Sequence, residues 1–152
     1  MKKFGMENAS HKRTPASAYL KLTKDEKGAN MDQSLYRSMI GSLLYLTASR
    51  PDITFAVEFC DRYQLEPKMI HITQVKRILK YVNGTSEYGI LYSHTANFLL
   101  TGYCDRDWEG SVGDRKSTSR GCFFLRNNLM PWFSKKQNSV SLSTTEAEYI
   151  AA

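Results

Sequence analysis

No stretch of this sequence approaches the roughly 18 consecutive apolar residues of a membrane-spanning helix. The basic opening, Met1-Lys2-Lys3-Phe4-Gly5-Met6-Glu7, leads into no apolar signal region, so an intracellular protein is expected. Cysteine is scarce. Cys60, Cys104 and Cys122 are the three present, without Cys-x-x-Cys spacing or paired histidines. That argues against zinc and for reduced thiols. Cys60 and Cys122 lie among apolar neighbours, where cysteine usually serves as a small core side chain. His71 and His94 stand isolated and suggest no role. Ser141, Ser143 and Thr144 have no histidine or aspartate placed by motif to activate them, so they read as turn and cap residues rather than nucleophiles. Internal repeats and low-complexity tracts are missing as well.

What is present amounts to 152 residues, 41% of them hydrophobic. That is one average domain or two small pieces, with enough apolar content for a core. The formal charge is +6 and the isoelectric point about 9.2. This balance fits a nucleic-acid partner and equally a solvated basic surface.

Residues 1–33 show little apolar periodicity and carry Thr14-Pro15, Gly28-Ala29-Asn30 and the mixed cluster Lys24-Asp25-Glu26-Lys27. They read as a loosely held arm or linker. Residues 34–85 read as helical. Leu35, Tyr36, Met39, Ile40, Leu43 and Leu44 recur at helical spacing, with Ser34 near the start. Arg50-Pro51-Asp52 restarts the chain, with proline suited to a first helical turn and Asp52 to the dipole there. Ile53, Ala56, Val57, Cys60 and Tyr63 mark an inner stripe. After Pro67, Ile72, Val75, Ile78, Leu79 and Val82 form the cleanest stripe, closed by Asn83-Gly84, where glycine suits a left-handed stop. From residue 86 to 152 the pattern turns to strands. Tyr88–Tyr92 and Phe98–Cys104 flank a turn at His94–Asn97. Cys122–Leu125 and Leu129–Phe133 flank Arg126-Asn127-Asn128, a tight hairpin because asparagine tolerates positive φ. Pro131 pushes its strand towards an edge or a bulge. Ser143-Thr144-Thr145-Glu146 is a capping box opening a last helix.

Two carboxylates stand out. Asp105 closes an apolar strand, and Glu148 lies more than a turn into the last helix. Should that helix cross the sheet, the two can face each other, and hard oxygen ligands of this kind favour Mg²⁺ or Mn²⁺. Two such metals about 4 Å apart activate water against a phosphodiester. By spacing alone, solvated surface charges explain the same residues.

The motifs, taken in order, resemble the C-terminal part of copia-type retrotransposon Pol polyproteins. They include Lys3-Phe4-Gly5-Met6 with Arg13-Thr14-Pro15, Tyr36-Arg37-Ser38-Met39-Ile40-Gly41-Ser42-Leu43-Leu44-Tyr45-Leu46, Arg50-Pro51-Asp52-Ile53 and Lys76-Arg77-Ile78-Leu79-Lys80-Tyr81-Val82-Asn83-Gly84-Thr85. They continue with Asp105-Arg106-Asp107-Trp108, Asp114-Arg115-Lys116-Ser117-Thr118-Ser119, Trp132-Phe133-Ser134-Lys135-Lys136-Gln137 and Ser141-Leu142-Ser143-Thr144-Thr145-Glu146-Ala147-Glu148-Tyr149.

The resemblance implies an α+β chain. An arm over 1–33 would precede a helical segment over 34–85, like a reverse transcriptase thumb or connection. Residues 86–152 would be an incomplete ribonuclease H-like mixed sheet with its first helix. The same resemblance implies that Asp105 and Glu148 are catalytic and bind Mg²⁺ or Mn²⁺, and that the family substrate is the RNA strand of an RNA–DNA hybrid. The family's further ligands have no counterpart in the sequence, so a catalytically incomplete fragment is expected, with the remainder of the Pol polyprotein as a partner. The Tyr-Val-Asp-Asp signature of the polymerase is missing, which excludes polymerase chemistry on this reading. Lys76, Arg77 and Lys80 would contact phosphates, or simply form a solvated helix face. Arg115, Lys116, Lys135 and Lys136, with Trp132, would line a basic aromatic groove, or Trp132 would pack in the core. A non-enzymatic nucleic-acid-binding or interaction remnant is the alternative. Several positions depart from the family pattern. Arg106 and Glu109 replace small residues, Arg120 and Arg126 replace glycines, and Met130-Pro131 replaces an apolar residue followed by serine.

Overall fold

The computed structural model describes residues 2–6, 9–17, 22–94, 99–108, 110–111 and 113–151. The chain is α+β and divides into two units, residues 1–88 and 89–152. Phe98, residues 95–97 of the expected turn, and Glu109 lie outside the described residues. No helix among the described residues is long and apolar enough to cross a membrane.

In the first unit, α1 (Gln33–Thr47), α2 (Pro51–Asp61) and α3 (Met69–Gly84) pack on one another. The cap of α1 is Asp32 rather than Ser34. Its carboxylate accepts hydrogen bonds from the amides of Ser34 at 2.8 Å and Leu35 at 3.1 Å, satisfying donors that the first turn leaves open. Tyr36, Met39, Ile40 and Leu43 are buried against Ile53, Val57, Phe59, Cys60, Ile72, Val75 and Ile78. Leu35 and Leu44 fall at the margin of their stripe and remain more than a third exposed. Tyr36 is fully buried and donates its hydroxyl to the Cys60 carbonyl at 2.8 Å. Burial pushes the Cys60 thiol up to about 12, so this cysteine is inert packing.

The α2–α3 corner is fixed by charge. Arg50 precedes Pro51, donates to both Asp52 oxygens at 2.9 and 2.7 Å, and reaches the Thr85 carbonyl and hydroxyl at 3.1 and 2.7 Å. Tyr81 donates to Asp52 at 2.7 Å. Partial burial opposes ionisation of Asp52, but the Arg50 and Tyr81 hydrogen bonds outweigh it and hold this carboxyl below its ordinary range. The motif Arg50-Pro51-Asp52 thus does more than start α2, because it ties that start to the end of α3.

The arm expected to be loosely held is packed instead. Met6 and Leu22 are buried in the helical core. Met31 donates to the Pro67 carbonyl at 3.0 Å and Met69 to the Ala29 carbonyl at 3.1 Å, around a bridge between Asn30 and Lys68. Tyr63 donates to the Leu22 carbonyl at 2.8 Å. His71, to which the sequence suggested no role, is fully buried and organises this contact. Its Nδ1 accepts the Lys68 amide at 2.9 Å, so Nε2 carries the proton and donates to the Thr23 carbonyl at 2.7 Å. The Tyr63 ring stacks on it at 4.0 Å. The helix-ending glycine also works differently from expectation. Gly84 does not take a positive φ. It leaves space instead, because a Cβ there would sit 2.8 Å from Cβ of His11.

In the second unit, β1 (Leu100–Asp107), β2 (Thr118–Leu125) and β3 (Asn128–Lys136) form a sheet in that order, followed by α4 (Thr144–Ala151). The expected mixed sheet is antiparallel throughout these strands, since β1 pairs β2 and β2 pairs β3 in opposite directions. The expected strand at Tyr88–Tyr92 does not form. The chain just beyond it is held by a side chain, not by a ladder. Asn128 accepts from the Ser93 amide at 2.7 Å and donates to its carbonyl at 2.8 Å. The β2–β3 hairpin turns on two residues, Arg126 at φ 55° and Asn127 at φ 61°. Between Cys122↔Trp132 and Phe124↔Leu129, Phe123 on β2 faces both Met130 and Pro131, so the proline sits in a bulge on an outer strand, as its missing N–H requires. Cys122 is only half-buried.

Burial lowers the His71 pKa, the Thr23 contact opposing it only in part. A lowered folded pKa means that this contribution is complete above roughly pH 6.5 and is lost as pH falls through the folded value. The protection factors of the Leu22–Lys24 amides, exchange rates corrected for the intrinsic pH dependence, are therefore expected to fall on acidification in the native chain, and unchanged protection would refute the assignment. Arg126→Gly relieves a left-handed arginine and is expected to add about 1 kcal/mol of stability in a urea melt.

Candidate metal centre and nucleic-acid interface

The site rests on the pairing of β1 with β2. Asp105 lies opposite Arg120 and Arg106 opposite Ser119 in the register. Neighbouring residues of a strand leave on opposite faces. Asp105 and Arg120 therefore share one face, and Arg106 and Ser119 the other. An ion pair of 2.8 Å joins Asp105 to Arg120.

Helix α4 lies on the Arg106 face. Ala147 and Ala151 are its buried residues. Gln137, just past β3 and 5% exposed, donates to the Ser119 hydroxyl at 3.0 Å and to the Ala147 carbonyl at 3.0 Å. The Ser141 hydroxyl donates back to Gln137 at 3.0 Å. The expected capping box forms in a shifted version. The Glu146 amide donates to Ser143 Oγ at 3.1 Å, while the Glu146 carboxylate accepts from the Leu142 amide at 2.6 Å. One turn of this arrangement brings Glu148 to Arg106, with Nε and Oε1 3.3 Å apart. The contact is electrostatic, without hydrogen-bond alignment.

Glu148 thus meets Arg106, not Asp105. The two acids expected to share a metal are each matched by an arginine, because Asp105 and Arg106 occupy successive positions that face opposite ways. Among the described residues, no group of three or more His, Cys, Asp or Glu side chains is placed to hold a metal ion. The donor set does not fit Mg²⁺ or Mn²⁺. A guanidinium already supplies the positive charge at each carboxylate, and a hard dication needs several oxygen ligands in one place.

The basic candidates divide. Lys76 is exposed on α3 and Lys80 half-buried. Arg77 is committed to the arm, donating to the Thr14 carbonyl at 3.2 Å and hydroxyl at 2.8 Å. In the second unit, Arg115, Lys116, Lys135 and Lys136 do gather at one end of the sheet, where the Gln137 amide donates to the Ser117 carbonyl at 2.8 Å. Lys136 pairs with Asp114, and Lys116 donates to the Asn138 carbonyl at 2.6 Å. Partial burial disfavours the Asp114 anion, but hydrogen bonds from Lys136, Ser111 and the Lys116 amide bring its pKa down to about 2. Arg115 is exposed at φ 55°. Lys135 is exposed on the α4 face, in one row with Arg106 and Ser119. Trp132 is half-buried and belongs to the other face, opposite Cys122, so it does not line a groove with Lys135. Sequence reasoning missed Gln137, Asp114 and the partners of Arg106 and Arg120. The signal it did carry was the presence of arginine where small residues are usual.

Gln137→Ala removes a buried group that satisfies the Ala147 carbonyl, and is expected to cost about 1–3 kcal/mol. Arg106→Ala breaks a half-exposed pair and is expected to cost under about 1 kcal/mol. Exchange rates of the α4 amides would rank the two, and the reverse order would refute this account of what holds the helix.

The chain is 39% identical over 160 aligned residues to the retrovirus-related Pol polyprotein from transposon TNT 1-94 of Nicotiana tabacum, covering all of this chain and 12% of that protein. It is 40% identical over 120 residues to an uncharacterized mitochondrial protein of Arabidopsis thaliana, covering 79% of this chain and 50% of the relative. It is 39% identical over 117 residues to secreted RxLR effector protein 161 of Plasmopara viticola, covering 76% of this chain and 82% of the relative. The chain therefore spans half or less of the first two of these relatives. No protein-family profile matches it, and no solved structure matches it. The relatives and the ordered motifs agree, and the chain belongs to the copia-type retrotransposon Pol family.

Proposed function

We propose that residues 89–152 correspond to the opening part of a ribonuclease H-like domain whose metal-binding acids are neutralised by protein cations. The chain then acts as a basic Pol-type module that binds an RNA–DNA hybrid without hydrolysing it. The observation that carries this reading is the double pairing of Asp105 with Arg120 and Glu148 with Arg106. A guanidinium beside each carboxylate supplies the positive charge without the open coordination that metal-activated water requires. The net charge and the cations at the end of the sheet supply a sequence-independent attraction to phosphates. Arg115 and Lys135 are the exposed members of that group, and they are the residues assigned to phosphate contact. The remainder of a Pol polyprotein is the natural protein partner.

The test is a labelled RNA–DNA hybrid with the intact chain. Binding should weaken linearly in a log–log plot against salt, and the paired variant Arg115→Ala/Lys135→Ala should lower the slope by roughly two. Incubation with Mg²⁺ or Mn²⁺ should leave the RNA strand intact. Metal-dependent cleavage that disappears in Asp105→Asn would overturn the proposal, and so would salt-indifferent binding.

A further inference from the structure

A second candidate site lies in the first unit. His11, Lys12, Arg13, Tyr81, Gly84, Thr85 and Tyr88 line a cavity of about 400 Å³. That volume falls in the range of roughly 300–1,000 Å³ typical of small-molecule sites. Its composition is unusual for a structural gap. Lys12 and Arg13 are exposed, and no hydrogen bond or ion pair of the described residues engages either. Tyr88 is 67% exposed, offering a ring face to solvent.

The cavity is also built, in the sense that its walls are held by other contacts. On one side the Arg50 guanidinium clamps Thr85, and Tyr81 is fixed through Asp52. Asp52, the acid bound to that wall, is already matched by Arg50, and among the described residues no Asp or Glu lines the cavity. On the other side His11 seats against Gly84, where any Cβ would approach its ring carbon within 3.0 Å. Arg77 and Gln74 anchor the next residues of the arm, Thr14 and Pro15, so Lys12 and Arg13 are presented from a tethered segment.

We infer that this cavity binds one nucleotide unit, with its phosphate on Lys12 and Arg13 and its base against Tyr88. Paired cations recognise the phosphate charge, and an exposed tyrosine offers the stacking surface that every base accepts. An aliphatic acid would gain nothing from the ring, and an apolar ligand nothing from the cations. The unit can come from a free mononucleotide or from a single strand. This site shares no residue with the sheet cations, so it stands or falls independently of the hybrid-binding proposal.

Fluorescein-labelled (dT)12 titrated with the intact chain, followed by anisotropy and competed with dTMP, tests the inference. Tyr88→Ala should weaken (dT)12 roughly ten-fold or more, and Lys12→Ala/Arg13→Ala should reduce the salt slope by about 1.4. Gly84→Ala should weaken binding by displacing His11. Competition by dTMP at concentrations near its own Kd identifies the mononucleotide as a ligand in its own right, and competition only by strands identifies single-stranded nucleic acid. Arg115→Ala/Lys135→Ala should weaken the hybrid more than (dT)12, and Tyr88→Ala should weaken (dT)12 more than the hybrid. If Tyr88→Ala and Lys12→Ala/Arg13→Ala both bind (dT)12 like the parent chain, the cavity is not a nucleotide site, whatever the hybrid result. Because Lys12, Arg13 and Tyr88 are exposed, these variants should keep the parent circular dichroism, so loss of binding reads out the site.

Discussion

Successive side chains of a strand leave on opposite faces, and on β1 that rule separates Asp105 from Arg106. Everything chemical in the second unit depends on it. The helix that carries Glu148 must pack somewhere, and its short apolar stripe, Ala147 and Ala151, is too small to hold it alone. Gln137 supplies the missing attachment by bonding both the sheet and the helix backbone. Once α4 lies on that face, the strand residue that meets Glu148 is Arg106. The two acids then become two local neutralised pairs rather than one shared ligand set. A guanidinium is a fixed monocation with its own donor geometry, and it offers no bound water to activate.

The first unit solves a different problem. Three helices of 15, 11 and 16 residues bury one face each, but the chain before them has little apolar content of its own. It is held by polar contacts to side chains of α3 and of the α2–α3 connection. His71, Gln74, Arg77 and Tyr63 each take a carbonyl from the arm. Such bonds are individually modest, about 1 kcal/mol net, and work here because several act along one segment. Two leucine-sized anchors, Met6 and Leu22, complete the attachment.

Much of this was legible in the sequence, and the exceptions have physical reasons. The helical stripes at Ile53–Cys60 and Ile72–Leu79 follow directly from 3.6-residue periodicity, and the Arg126-Asn127 hairpin and the Pro131 bulge follow from turn chemistry and the missing proline donor. The packed arm was not legible because its anchors are backbone carbonyls, which have no sequence signature. The Tyr88–Tyr92 segment has strand composition without a strand partner, since Asn128 takes up the neighbouring backbone groups. The candidate site was legible as a list of residues and not as a geometry. Asp105 and Glu148 could be picked out by motif, but the partner of Asp105 depended on the β1–β2 register and that of Glu148 on which face α4 covers, where Gln137 ties the helix to the sheet.

The bulge at Pro131 makes the sheet directional. Its two outer strands are unequal. β3 is interrupted where Met130 and Pro131 share one partner, while β1 keeps an unbroken register from Leu100 to Asp107 with no proline. A bulged, proline-bearing border discourages a further strand, whereas a border without bulge or proline, paired on its outer side with no strand among the described residues, invites one. Growth of this sheet, by another segment or another molecule, is thereby steered to the side of Asp105, so that any strand added there lies beside one of the two neutralised acids.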